Sequence, residues 1–148
     1  MAIYHLAVKS VSRSTGRSAV AAAAYRTGAC LENERDGLVH DYTRRGGVED
    51  AFIVAPEGAE WAQDRSALWN AAEAAEKRKD AKVAREYELG LPAELDAGQR
   101  RDLVRAFAED IRNRYGVAVD AAIHAPHDYG DDRNHHGHVM TTTRVAEA

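Results

Sequence analysis

The chain has 148 residues, 45% of them hydrophobic and 30% charged, with a net charge of −4, which is the size and balance of one globular domain with a real core. No apolar run approaches the roughly 20 residues of a membrane span, and the start, MAIYHLAVKS, lacks the basic segment and apolar core of a signal peptide, so a cytoplasmic location without membrane insertion is expected. The single cysteine, Cys30, excludes an internal disulfide and a Cys-based zinc finger, so any metal must rest on histidine and carboxylate.

In chain order, AIYHLAVKSV alternates and predicts a strand, with Tyr4, Leu6 and Val8 on one face and Ile3, His5, Ala7 and Lys9 on the other. SRSTGRS is a small basic turn. SAVAAAAYRTG predicts a short helix, capped by Ser18 and ended by Gly28. Residues 30–50 are polar, with a brief strand around LVHDY, and AFIVAP is a buried strand stopped by Pro56. A helix is expected from Glu60 to about Lys79, with Trp61, Leu68, Trp69 and Ala72 on one side. VAREYELGLP alternates again, turning Glu86 and Glu88 one way and Tyr87 and Leu89 the other. Asp96 and Gln99 form a capping-box pattern that opens a long helix burying Leu103, Val104, Phe107, Ile111 and Tyr115 and ending at Gly116. VAVDAAIHAP is a strand, HDYGDDRN a polar loop and HGHVMTTTR the last strand. The sum is a single α/β (α+β) domain, a mostly antiparallel central sheet covered by helices.

Five of the seven histidines, His124, His127, His135, His136 and His138, fall between positions 124 and 138. Side chains two apart on a strand share a face, so His136 and His138 point together and His135 points away. On the preceding strand His124 shares its face with Asp120 and Ala122. If the two strands pair as a hairpin, three imidazoles meet on one polar sheet face, a ligand set that leaves positions open for substrate oxygens. His127 and His135 are expected to hydrogen-bond and not to ligate.

MAIYHLAVKSVSRSTGRSAVAAAAYRTG, EYELGLPAEL and AIHAPHDYGDDRNHHGHVMTTTR together closely resemble the MobA/MobL mobilization relaxases, plasmid DNA-nicking proteins of the HUH endonuclease group. The resemblance covers nearly the whole chain and is weakest between residues 30 and 80. It implies a relaxase domain, the N-terminal part of a longer protein, acting on single-stranded DNA at a transfer origin together with other relaxosome proteins. Residue by residue, it implies that Tyr25 is the nucleophile forming a 5′-phosphotyrosyl bond. It also implies that His124, His136 and His138 hold a divalent metal, Mn2+ or Mg2+ before Zn2+, and that the acidic residues Glu86 and Glu88 lie near the site. Spacing alone does not choose Tyr25 over Tyr4, Tyr42, Tyr87, Tyr115 or Tyr129, although Tyr87 and Tyr115 read as core.

Charge agrees with an anionic strand despite the net −4. Residues 1–48 carry seven Lys/Arg against four Asp/Glu, a balance of +3, while the remainder carries −7. DNA is therefore expected over Lys9, Arg13, Arg17, Arg26, Arg44 and Arg45. A rolling-circle initiator or transposase of the same group is the nearest alternative, and the tyrosine preceding the histidines argues for the relaxase order. A non-catalytic DNA-binding module fits less well, because the tyrosine and all three histidines are intact.

Overall fold

Period-two runs become strands, and the alanine-containing stretches with an apolar stripe become helices, in a computed structural model that describes residues 5–126 and 135–147. The elements are β1 (His5–Ser12), α1 (Ala19–Thr27), β2 (Cys30–Asn33), β3 (Leu38–Asp41), β4 (Val48–Val54), α2 (Arg65–Ala74), β5 (Lys82–Gly90), α3 (Ala97–Tyr115), β6 (Val119–His124) and β7 (His136–Thr141). Tyr4, His127, Tyr129 and the HDYGDDRN loop lie outside the described residues. Five strands form one sheet in the order β1-β5-β7-β6-β4, with every neighbouring pair antiparallel, while β2 and β3 make a separate hairpin. Among the described residues no helix is long and apolar enough to cross a membrane.

The pleat divides the strands between two cores. Val119, Ala121, Ile123, Val139 and Leu89 meet Val104, Ala108 and Ile111 of α3 on one face. On the other, Val11, Ala84, Met140 and Ile53 meet Val20, Ala23 and Ala24 of α1 and Leu68 and Trp69 of α2. Small side chains let α1 lie close to the sheet, and its ends are fixed as the sequence predicts. The Ser18 hydroxyl accepts from the Ala21 amide, and Gly28 closes the helix at φ 68°, a left-handed conformation cheap only for glycine. The capping box of Asp96 and Gln99 is formed in full.

Three expectations are corrected. The helix expected over 60–79 is broken, because Asp64 takes an extended backbone and caps a new start through the Ala67 amide. A 3-10 turn (Glu60–Gln63) precedes it, and α2 ends at Ala74. Trp61 is consequently left partly exposed, its indole donating to the Glu147 carbonyl. Tyr115 is not core but 56% exposed, since the last turn of α3 runs past the apolar stripe of Val104, Ala108 and Ile111. In the polar stretch 30–50 the LVHDY strand has an unforeseen partner, β2, and β4 begins earlier than AFIVAP.

Gly137, between the two histidines of β7, lies closely against α3. A Cβ there would lie 3.1 Å from Val104 Cγ2 and 3.6 Å from Leu89. Gly137→Ala should therefore lose about 1–3 kcal/mol to overpacking, read from the urea unfolding midpoint. An unchanged midpoint would mean that α3 can back away without penalty.

Candidate active site

Sheet register sets the site before any side chain is considered. Across the central strands, Gly90, His136 and His124 stand in one row, Glu88, His138 and Ala122 in the next, and Glu86, Met140 and Asp120 in the third. Lys9 of β1 continues the third row beside Glu86. Cross-strand partners share a face, so His124, His136, His138, Glu86 and Glu88 all point to the side covered by α1 and α2. The three imidazoles expected together are on one face.

They are not equally accessible. His124 and His138 are buried and in ring contact, with centroids 4.5 Å apart, while His136 stands 6.4 Å from His138 and is about one-third exposed. His124 Nε2 donates to the Arg26 carbonyl at 2.7 Å, which leaves the lone pair on Nδ1. Burial pushes the His124 imidazole down to about 4, so it is neutral near pH 7. His138 turns Nδ1 to Glu86 Oε1 at 3.3 Å and keeps Nε2 for another partner. His136 Nδ1 lies 3.8 Å from Glu88 Oε1. As the side chains stand, no three His, Cys, Asp or Glu donors among the described residues surround one point closely enough to hold an ion. Imidazoles bound to one ion at about 2.1 Å have ring centres roughly 5 Å apart, so the two spacings above lie to either side of that arrangement.

Glu86 is the buried anchor of the cluster. It is fully enclosed, with Arg26 Nε at 2.8 Å and Arg17 Nη2 at 4.0 Å. Burial alone would raise its carboxyl, but the His138 hydrogen bond and the charges of Arg26 and Lys9 outweigh that and hold it below the usual range. Glu88, one-third exposed, is the more open of the two acids. Asp120, expected on the polar patch, serves packing instead. Its carboxylate takes a bidentate contact from Arg65 at 2.8 and 2.9 Å and the Trp69 indole at 2.8 Å, locking α2 to the sheet.

Tyr25 sits on the last turn of α1, 41% exposed. The Arg45 guanidinium lies 4.2 Å over its ring and Arg26 5.3 Å, with Tyr42 edge-on at 5.2 Å. Arg26 thus faces the Tyr25 ring and Glu86 with one guanidinium, while its carbonyl holds His124. Sequence reasoning could not see that triple contact, because it depends on how α1 docks. Arg44 is exposed and Lys9 lies beside Glu86.

Arg13 is the one expected DNA contact that the structure removes. It is 8% exposed, paired with Glu73 at 2.8 Å and bonded to the carbonyls of Glu73, Glu76 and Arg78. All its donors face inward. His135 immediately precedes β7, its backbone carbonyl accepting from the Leu91 amide and its Nε2 3.7 Å from Glu49 Oε2.

Comparison with known proteins bears on the family and the fold. The family model described as MobA/MobL family matches residues 17–148. "Mobilization protein MobL" of Acidithiobacillus ferridurans is 53% identical over 126 residues, covering 85% of this chain and 33% of that protein. "Conjugal transfer protein TraA" of Rhizobium radiobacter is 40% identical, covering 97% of this chain and 14% of that one. The chain therefore spans a third or less of these curated relatives. A solved structure described as "Molecular Basis of Vancomycin Resistance Transfer in Staphylococcus aureus" superposes with a TM-score of 0.86 at 33% identity, covering 95% of this chain and 70% of its own. The chain belongs to the MobA/MobL family.

Proposed function

We propose that this domain is a relaxase that nicks single-stranded DNA at a plasmid transfer origin by transesterification onto Tyr25, opening conjugative mobilization. The observation that supports it most is the junction at the end of α1. There the residue after the phenol binds His124 through its carbonyl and Glu86 through its guanidinium. In the step proposed, Tyr25 Oη loses its proton and attacks phosphorus. The bond from phosphorus to the 3′ oxygen breaks, and that oxygen takes up a proton, leaving a 5′-phosphotyrosyl ester and a free 3′ hydroxyl. Because water takes no part, the ester is retained and the strand can be rejoined.

The side chains divide the work. Arg45 and Arg26 over the Tyr25 ring would hold the phosphate against the phenol. Glu86 is a positioning residue, since its carboxylate is committed to Arg26 and His138. It fixes the His138 tautomer as an acceptor behind a ligating imidazole does. Glu88, partly open to solvent, is the carboxylate able to exchange a proton. His124, His136 and His138 are the proposed holders of a divalent ion, Mn2+ or Mg2+ before Zn2+. The donor set fits, because His124 and His138 each keep one lone pair while the other nitrogen is tied to protein. Such an ion, when bound, polarises the non-bridging phosphate oxygens and stabilises charge in the transition state. Lys9, Arg17 and Arg44 would meet the flanking strand, and the domain would work as the nicking module of a longer protein among other relaxosome components.

The test is an SDS-resistant protein–DNA band after incubation with a labelled origin strand of its own plasmid and Mn2+. His136→Ala should cut adduct formation by about 10²–10³-fold, as should a chelator on the unaltered protein. DNA binding and the unfolding midpoint should not move. His136 is the cleaner site because His124 and His138 are buried. Adduct formation at the unaltered rate in His136→Ala would reject the three-histidine centre.

A further inference from the structure

Beside α1 lies a cleft of about 490 Å³, walled by α1 and the β2–β3 hairpin and lined by Arg17, Tyr25, Arg35, Leu38, His40 and Lys79 among others. Its size falls within the roughly 300–1,000 Å³ of ordinary ligand sites. We infer that this cleft is a second DNA subsite, holding the nucleotides that flank the scissile phosphate on the hairpin side of Tyr25. The inference rests on the relaxase reading for the position of that phosphate, but the cleft's own chemistry points to a single strand.

Three observations carry it. First, two of the cleft's cations are uncommitted, although Arg13 and Arg26, which also line it, are paired with Glu73 and Glu86. Asp36, its one carboxylate, already accepts from the Leu38 amide and the Asn33 side chain, whereas Arg35 and Lys79 make no ion pair among the described residues. Second, apolar surface is exposed beside that charge. Leu38 is 57% exposed and the Tyr25 ring 41%, although both line the same concavity. Cations with flat or apolar surface between them are what an unstacked strand requires, phosphates on the one and bases on the other. Third, the walls are built. Asn70 of α2 accepts from the Glu34 amide and donates to the Glu32 carbonyl, pinning the hairpin. Continuity with the active site follows from Arg17, which lines the cleft and reaches toward Glu86 at 4.0 Å. Tyr25 then stands at the border of both, so a strand cut there has one arm in the cleft.

Binding of labelled oligo(dT) by fluorescence anisotropy in EDTA tests this without any nicking. Arg35→Ala/Lys79→Ala should weaken binding at least roughly tenfold and lower the slope of log K against log salt by about 1.4, two phosphates' worth on a single strand. Leu38→Ser should weaken binding severalfold at an unchanged slope, because it removes apolar contact and no charge. The charge-matched control Arg112→Ala/Arg114→Ala, on α3 and away from the cleft, should leave both readings as they are. Equal affinity and slope in the cleft variants and the unaltered protein would overturn the inference, as would failure of the unaltered protein to bind oligo(dT) at low salt. The relaxase reading is judged separately by the adduct: an adduct with no effect of the cleft variants rejects the subsite alone, and cleft effects without an adduct reject the nicking alone.

Discussion

Tyr25→Phe should bind an origin strand as the unaltered protein does and form no covalent adduct, a loss on the order of 10⁵-fold or down to background. Losses of that size follow removal of a nucleophile that acts with its neighbours as a unit. The substitution deletes one oxygen. It leaves the ring edge-on to Tyr42 at 5.2 Å and under the Arg45 guanidinium at 4.2 Å. With the ring 41% exposed, the unfolding midpoint should stay within about 0.5 kcal/mol of the starting value, so a lost adduct cannot be put down to a lost fold. Tyr42 is the rival to take seriously, being the ring in contact. Tyr87 packs edge-on against Phe107 on the α3 side of the sheet, and Tyr115 ends α3 itself, so neither shares a face with the histidines. Mass spectrometry of the peptide–nucleotide conjugate decides the matter. An adduct that persists in Tyr25→Phe, or maps to Tyr42, rejects the assignment.

How far the site was legible in the sequence depends on the range of the interactions. Facing is local: a period of two puts His136 with His138 and His124 with Asp120, and a hairpin brings the two sets together, as the register of β6 and β7 has it. Caps are local too, so Ser18, Gly28 and the Asp96–Gln99 box follow from residue type. Alternation also set Glu86 and Glu88 on one face but could not separate them. Their difference comes from α1, whose Arg26 closes over Glu86 and leaves Glu88 toward solvent. Arg13 was misjudged for the same reason. A cation in a basic turn reads as exposed until its partner Glu73, 60 positions away, is brought to it by the docking of α2. The break at Asp64 was local, and its capping side chain lay in plain view. A helical apolar pattern running through it outweighed that signal.

Glu73→Ala should destabilise the domain by about 3–5 kcal/mol, the usual result of stripping a buried ion of its partner. Glu73 and Arg13 have side-chain exposures of 1% and 4%, so water cannot replace the lost carboxylate. Glu73 Oε1 accepts from Arg13 Nε and Nη2 at 3.1 and 2.8 Å, and Oε2 accepts from the Ala19 amide at 2.7 Å. Alanine would strand a guanidinium charge and also uncover an amide at the start of α1. Glu73→Gln separates the two effects, since its carbonyl can still accept while the charge is gone, and should lose less than Glu73→Ala. Against a typical total of about 5–15 kcal/mol, either loss is large and readable as a shift in the urea midpoint. The consequence reaches the chemistry through α1, because Glu73 binds the first turn of the helix whose last turn carries Tyr25. At temperatures where the variant is still folded, Glu73→Gln should therefore slow adduct formation more than it weakens oligo(dT) binding. A midpoint within about 1 kcal/mol of the unaltered protein for Glu73→Ala would mean that Arg13 finds other acceptors, its three backbone carbonyls sufficing, and that the pair does not secure α1.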